Sequence, residues 1–156
     1  LFDLLIEENL GINVVALGTN EQTLPDFVSH PSGMIASDAI LLGEFPSPRS
    51  YGCFPVVLAE FVRAEKQLAL PEAIRKMTSF PAQRLGMTDR GMLRDGMKAD
   101  VVIFHSDEVK APATKWNPKQ YPLGIPYVIV NGQVVIDNGE NTGALPGKGL
   151  RRGHAN

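Results

Sequence analysis

The sequence is poor in the residues from which small self-contained sites are built. Cys53 is the only cysteine, and the histidines are three, His30, His105 and His154. One thiol can neither close a disulfide framework nor form a thiolate cage, which excludes disulfide scaffolds and zinc fingers. None of the histidines shares a helical or strand face with a second histidine or a carboxylate at metal-ligand spacing, and they read as a helix-end, a post-strand and a tail histidine. Charge of one sign is also lacking. Fifteen Lys plus Arg stand against seventeen Asp plus Glu, a formal net charge of −2, so there is no basic footprint for nucleic acid or an anionic membrane. No apolar run approaches the roughly 20 residues of a membrane-spanning helix, and the opening Leu1-Phe2-Asp3-Leu4-Leu5-Ile6-Glu7-Glu8 is too acidic for a signal peptide. Nucleic acid and membrane are therefore not expected partners, and a cytoplasmic location is expected. The P-loop, Gly-x-Gly-x-x-Gly, Gly-x-Ser-x-Gly and His-Glu-x-x-His motifs are absent. The chain starts at Leu1 rather than Met, so it is expected to continue a longer reading frame or to have been processed.

What is present suffices for a core: 156 residues, 44% of them hydrophobic. Residues 1–10 alternate apolar and acidic positions as the end of an amphipathic helix does, with Gly11 as its stop. The run from Asn13 to Gly18 reads as a buried strand. Thr19-x-x-Gln22 has the form of a capping box introducing a short helix that ends near His30-Pro31, and Gly33 to Ser37 reads as a second buried strand. Strand, helix, strand at this spacing is the rhythm of a parallel sheet, in which chemistry collects at the carboxyl ends of strands, and Asp38 stands at such an end. After a Pro- and Gly-rich loop, Phe54 to Lys66 places Phe54, Val57, Leu58, Phe61 and Val62 at helical spacing. Leu70-Pro71 opens another helix with Ala73, Ile74 and Met77 as its inner stripe, ended by Pro81, and one or two helical turns follow, closed by Gly86.

From about Arg90 the character is β. Ala99 to Phe104 reads as a strand, and Tyr127 to Ile136 as a hairpin turning on Asn131-Gly132, since both turn residues need a positive φ. The tail from Asn141 reads as an extended strand or arm. Two parallel strands, four helices and about three further strands do not close a sheet, so open edges are expected to invite pairing with more chain.

Three residues stand where chemistry could occur. Asp38 is a strand-end carboxylate, a position also taken by turn formers and helix caps. Arg49 follows eleven positions later in the same strand-to-helix loop, where a guanidinium is either solvated or suited to gripping a carboxylate in bidentate fashion. Cys53 is either a small buried residue at a helix start or a thiol activated by a helix amino terminus.

Taken together, the motifs resemble a known family. They are Ser37-Asp38; Pro48-Arg49-x-x-Gly52-x-Phe54-Pro55-x-Val57-Leu58; Ala73-x-Arg75-Lys76-Met77-Thr78-x-x-Pro81-Ala82-x-Arg84-Leu85-Gly86; and Asp89-Arg90-Gly91-x-Leu93-Arg94-x-Gly96-x-x-Ala99-Asp100-Val101-Val102-Ile103-Phe104. Tyr121-Pro122-x-Gly124-Ile125-x-Tyr127-Val128-Ile129-Val130-Asn131-Gly132 and Thr142-Gly143-x-x-Pro146-Gly147 complete the series. The pattern is similar to the carboxyl-terminal third of the N-acyl-D-amino-acid deacylases (D-aminoacylases) of the amidohydrolase superfamily. The Ala-Asp strand and the Asn-Gly hairpin mark only the superfamily. The Pro-Arg-x-x-Gly-x-Phe-Pro loop and the Pro-Gly tail narrow it.

The resemblance implies an α/β chain: the last βα units of a metal-dependent-hydrolase TIM barrel over residues 1–89, and the carboxyl-terminal part of a small β-sandwich over 90–156. Such a barrel commonly needs about 250 residues, so this chain would supply barrel strands seven and eight at most. It implies zinc-assisted hydrolysis of the amide of an N-acyl-D-amino acid, with Asp38 as the general base and Arg49 holding the substrate α-carboxylate. The family's zinc ligands belong to earlier strands, so no metal ligand is assigned in this chain. Alone it is expected to be inactive, needing the remainder of the polypeptide or another copy as partner. Two departures bear on specificity: Ala39 replaces the family's usual Gly after the aspartate, and Ser47 its frequent His before Pro-Arg. The alternatives are a cyclic-amide hydrolase of hydantoinase or dihydroorotase type and a non-catalytic fragment that pairs through open sheet edges.

Overall fold

A computed structural model of the chain describes residues 2–9, 22–41, 43 and 45–150. The expected strand at 13–18, Thr19 of the capping box and His154 lie outside the described residues. Among those residues every helix precedes every strand. The helices are α1 (Phe2–Glu7), α2 (Leu24–Ser29), α3 (Arg49–Val56), a π-helical continuation of α3 (Val57–Ala64), α4 (Leu70–Met77) and α5 (Ser79–Arg84). The strands β1 (Val101–Ile103), β2 (Tyr127–Val130), β3 (Gln133–Asp137) and β4 (Glu140–Asn141) form one antiparallel sheet in chain order.

Local chemistry accounts for most helix ends. α1 turns at Asn9, which takes φ 48° and donates its N–H to the Ile6 carbonyl, so the stop falls before the expected Gly11. α2 starts at Leu24 with Pro25 in its first turn and makes no side-chain cap. It ends at His30, whose ψ of 131° is the extended value that a following proline favours. α4 ends at Thr78 (φ −130°, ψ −88°), three residues before the expected breaker, and Pro81 sits harmlessly in the first turn of α5.

The helix expected from Phe54 instead begins at Arg49. Pro55 lies inside it, where its ring lacks the N–H owed to the Tyr51 carbonyl, and from Val57 the coil widens to π geometry, with Glu65 N–H reaching the Glu60 carbonyl at 2.8 Å. This segment forms the centre of the core. Val57, Leu58 and Phe61 are buried with Val28, Leu68, Ala73 and Val109, and Ile35, Ile74, Met77, Phe104 and Ile125 pack on them. Each buried Val, Leu or Phe among them contributes about 1.5–3 kcal/mol by leaving water, Ala73 and the partly buried side chains less. Phe54, expected on the inner stripe, is exposed because the helix starts earlier and passes into π winding.

Residues 33–37, expected as a strand buried on both faces, are extended but belong to no sheet. Their burial alternates, with Gly33, Ile35 and Ser37 partly inward and Met34 and Ala36 outward. A strand is defined by its ladder, and among the described residues no strand lies beside this segment. Its polar groups are met from the helices instead. Ile35 N–H donates to the Lys76 carbonyl at 3.1 Å, and Cys53 Sγ lies 3.6 Å from the Ala36 carbonyl oxygen.

In the β portion the expected hairpin is present. Asn131 (φ 47°) and Gly132 (φ 80°) make its turn, and the register slips by one residue between Val128 and Ile129. Asp100 organises it: one carboxylate oxygen accepts the Asn131 N–H at 2.8 Å and the other meets Arg90 at 2.8 Å. Asn131 Nδ2 then donates to the Pro146 carbonyl at 2.8 Å, which holds the tail without a further strand. Arg63 ties the two portions together, donating to the carbonyls of Ser106 and Val109 at 3.0 and 2.8 Å.

Candidate active site

Asp38 and Arg49 come together. Arg49 Nη2 lies 3.0 Å from Asp38 Oδ2, and Nε donates to the Asp38 main-chain carbonyl at 3.3 Å. Their side chains remain 51% and 85% exposed for Arg49 and Asp38, so the pair is open to solvent. Asp38 takes a left-handed backbone, φ 46°, which turns the chain sharply at the end of the extended segment. Arg49 is the first residue of α3 rather than a loop residue, because Pro48 and the Ser47 carbonyl, which accepts the Ser50 N–H at 2.9 Å, already start the helix. Ser50 Oγ donates to the Ile40 carbonyl at 3.0 Å, so α3 holds the segment on both sides of Asp38.

Arg49 also borders an open apolar groove of about 450 Å³, lined by Phe27, Met34, Ile35, Val56 and Phe61 among others. Asp38 stands outside the lining, and the guanidinium reaches between the two. A larger opening of about 600 Å³ beside the sheet includes His105 and Tyr121 and shares no residue with the groove.

Cys53 lies within α3, not at its start. Cys53 is half-buried, and burial pushes its thiol up from the ordinary value, partly opposed by nearby Arg49, which is nearer the reading of a small packed residue than that of a thiol activated by a helix amino terminus. His30 is tied locally, its Nδ1 accepting the Ser32 N–H at 3.2 Å. Among the described residues no group of three or more His, Cys, Asp or Glu could hold a metal ion, so these residues do not themselves fit a zinc centre. No helix among them is long and apolar enough to cross a membrane.

Sequence reasoning passed over Lys76, which is completely buried. It follows Ala73, also fully buried, by three positions and so shares its helical face. That spacing was the available signal.

The amidohydrolase family model matches residues 30–136, most of the chain, including Asp38, Arg49 and the hairpin. The chain belongs to the amidohydrolase family. Within that family it is 44% identical over 128 residues to an N-acyl-D-aspartate deacylase of Alcaligenes xylosoxydans xylosoxydans, covering 81% of this chain and 26% of the relative. It superposes on a crystal structure of a D-aminoacylase with TM-score 0.78 and 33% identity, over 81% of this chain and 27% of the other. An N-acyl-D-glutamate deacylase of Bordetella bronchiseptica, solved with zinc and a phosphonate mimic of the tetrahedral intermediate, matches with TM-score 0.72 and 36% identity over 75% of this chain and 25% of the other. The chain thus spans about a quarter of the length of these relatives, and its α/β structure is that of one part of the amidohydrolase fold.

Proposed function

We propose that this chain is the carboxyl-terminal part of a zinc-dependent amidohydrolase that cleaves the amide of N-acyl-D-amino acids. Residues 1–89 belong on this reading to a TIM barrel and residues 90–156 to a small β-sandwich. A cytoplasmic location accords with the lone thiol. The observation that carries the proposal is the meeting of one exposed carboxylate and one exposed guanidinium, Asp38 and Arg49, at the end of an extended segment. Such a pair offers what hydrolysis of an N-acyl amino acid needs from the protein besides an electrophile. A base takes a proton from water and returns it to the leaving amine, and a cation grips the substrate carboxylate.

Asp38 is the base of this reading and Arg49 the grip. Their mutual ion pair is weak, of the order of 0–1 kcal/mol for charges this exposed, so a substrate carboxylate competes for the guanidinium without a large cost. Asp38 engages Arg49 through Nε and Nη2, which leaves Nη1 for a second acceptor on this reading. A zinc centre draws its support from the relatives solved with metal and its ligands from elsewhere in the polypeptide. The apolar groove beside Arg49 suits an acyl or side-chain moiety.

The test is hydrolysis of a panel of N-acetyl-D- and N-acetyl-L-amino acids by the full-length polypeptide, with and without chelator. Turnover of D-substrates that chelator abolishes is expected. Activity on cyclic amides alone, or none on either enantiomer, overturns the proposal. Arg49→Ala is expected to raise KM for N-acyl amino acids on the order of tenfold or more while leaving kcat less affected, the result of losing a charged contact made to the bound substrate. An unchanged KM removes Arg49 from carboxylate capture.

A further inference from the structure

Lys76 has no part in the chemistry above, yet it is the only charged side chain completely buried among the described residues. Its Nζ donates to two main-chain carbonyls, those of His30 and of Gly33, the latter at 2.9 Å. Its own carbonyl accepts the Ile35 N–H at 3.1 Å. The preceding residue, Arg75, reaches the Pro31 carbonyl at 3.4 Å. One turn of α4 therefore holds residues 30–35 by four hydrogen bonds. The fit is close on the other side too: a Cβ added at Gly33 would stand 2.8 Å from the Phe27 carbonyl oxygen, 3.1 Å from that of His30 and 3.4 Å from Lys76 Nζ.

We propose that Lys76 is a positioning residue for Asp38, clamping residues 30–35 so that the carboxylate five residues beyond Gly33 emerges at a defined place beside Arg49. The inference rests on the reading of Asp38 as the base. Two supports meet on one extended segment. α4 holds its beginning through Lys76, and α3 holds its end through Cys53, Arg49 and Ser50. Removing the first leaves the end attached but free to swing. A buried amine is costly where an apolar side chain would pack, and the desolvation that lowers the pKa of Lys76 expresses that cost. What the amine provides, and a methionine cannot, is donors for the His30 and Gly33 carbonyls.

The test uses the full-length enzyme. Lys76→Met keeps the length and packing and removes the donors. Amide exchange at Ile35 is expected to accelerate on the order of tenfold, with protection in the 127–136 hairpin unchanged. Per folded, metal-loaded enzyme, kcat is expected to fall on the order of 10²-fold with KM held within about twofold, since a displaced base impairs chemistry and not the grip of Arg49. Loss of stability with kcat unchanged makes Lys76 merely structural and overturns the proposal, as does unchanged exchange at Ile35. Should Lys76→Met fail to fold, Gly33→Ala crowds the same cradle while keeping the lysine in the chain and is expected to give the same split between kcat and KM. An equal rise in KM alone overturns it. If the wild-type protein hydrolyses no N-acyl amino acid, the reading of Asp38 fails and the positioning role fails with it, whereas exchange at Ile35 separately decides whether the clamp exists.

Discussion

Asp38 adopts φ 46°, a conformation that non-glycine residues visit rarely and aspartate more readily than most. Ala39, which stands where the family usually has glycine, keeps an ordinary negative φ, so the turn is made by the aspartate itself and the missing glycine imposes no strain. Asp38→Asn preserves the size and the local turn while removing the proton acceptor. In the full-length protein it is expected to lower kcat by at least 10²-fold, the lower end of what a general base contributes, with bound zinc unchanged when assayed by metal analysis. Retained turnover would contradict the assigned role. That Asp38 merited attention was readable from its place after an apolar run. That Arg49 touches it was not, because eleven residues of loop and helix start intervene and only folding sets their distance.

At the scale of elements, the motifs that carried the family resemblance are mostly structural. Asp100, Asn131 and Pro146 belong to separate motifs in the chain, yet they form one hydrogen-bonded chain that fastens the hairpin to Arg90 and to the tail. Asp100→Ala removes two charge-assisted bonds at once and is expected to cost about 1–3 kcal/mol, read as a lowered urea midpoint with an unchanged m value. In α4, Arg75 holds Glu72 through both carboxylate oxygens at 2.8 Å and stacks 4.3 Å from the Phe80 ring centre. The hydrogen bond from Arg75 lowers the pKa of Glu72 from its ordinary value. A carboxyl depressed in the folded state contributes stability that is whole above the unfolded value of about 4.3 and is lost as pH falls through the folded value. Glu72→Gln is therefore expected to flatten the loss of stability below about pH 4.3, and an acid unfolding profile superimposable on wild type would refute the linkage.

At the scale of the whole molecule, the chain leaves many large apolar side chains in solvent. Phe27, Phe45, Leu93, Trp116 and Tyr121 are among them, and among the described residues β1 has a sheet neighbour on one side only. Exposed apolar surface and an open strand edge favour association. The 156-residue chain alone is expected to self-associate in sedimentation experiments at micromolar concentration and to show no deacylase activity; a stable monomer that turns over substrate would show that nothing further is needed.

The amino-acid pattern alone determined the start of the helix at Leu70-Pro71, the Asn131-Gly132 hairpin and the family, because each depends on nearest neighbours: proline in a first turn, positive φ at a two-residue turn, short motifs in order. Tertiary structure alone decided the rest. Residues 33–37 carry the composition of a buried strand, but a ladder requires a second segment, and among the described residues the helices supply the hydrogen-bond partners instead. Lys76 shares the face of Ala73 in a helical plan, but what fixes its charge there is the convergence of carbonyls from 43 and 46 residues away on its amine. The pairing of Asp38 with Arg49 is of the same kind, set by where two helices place a segment that neither of them contains.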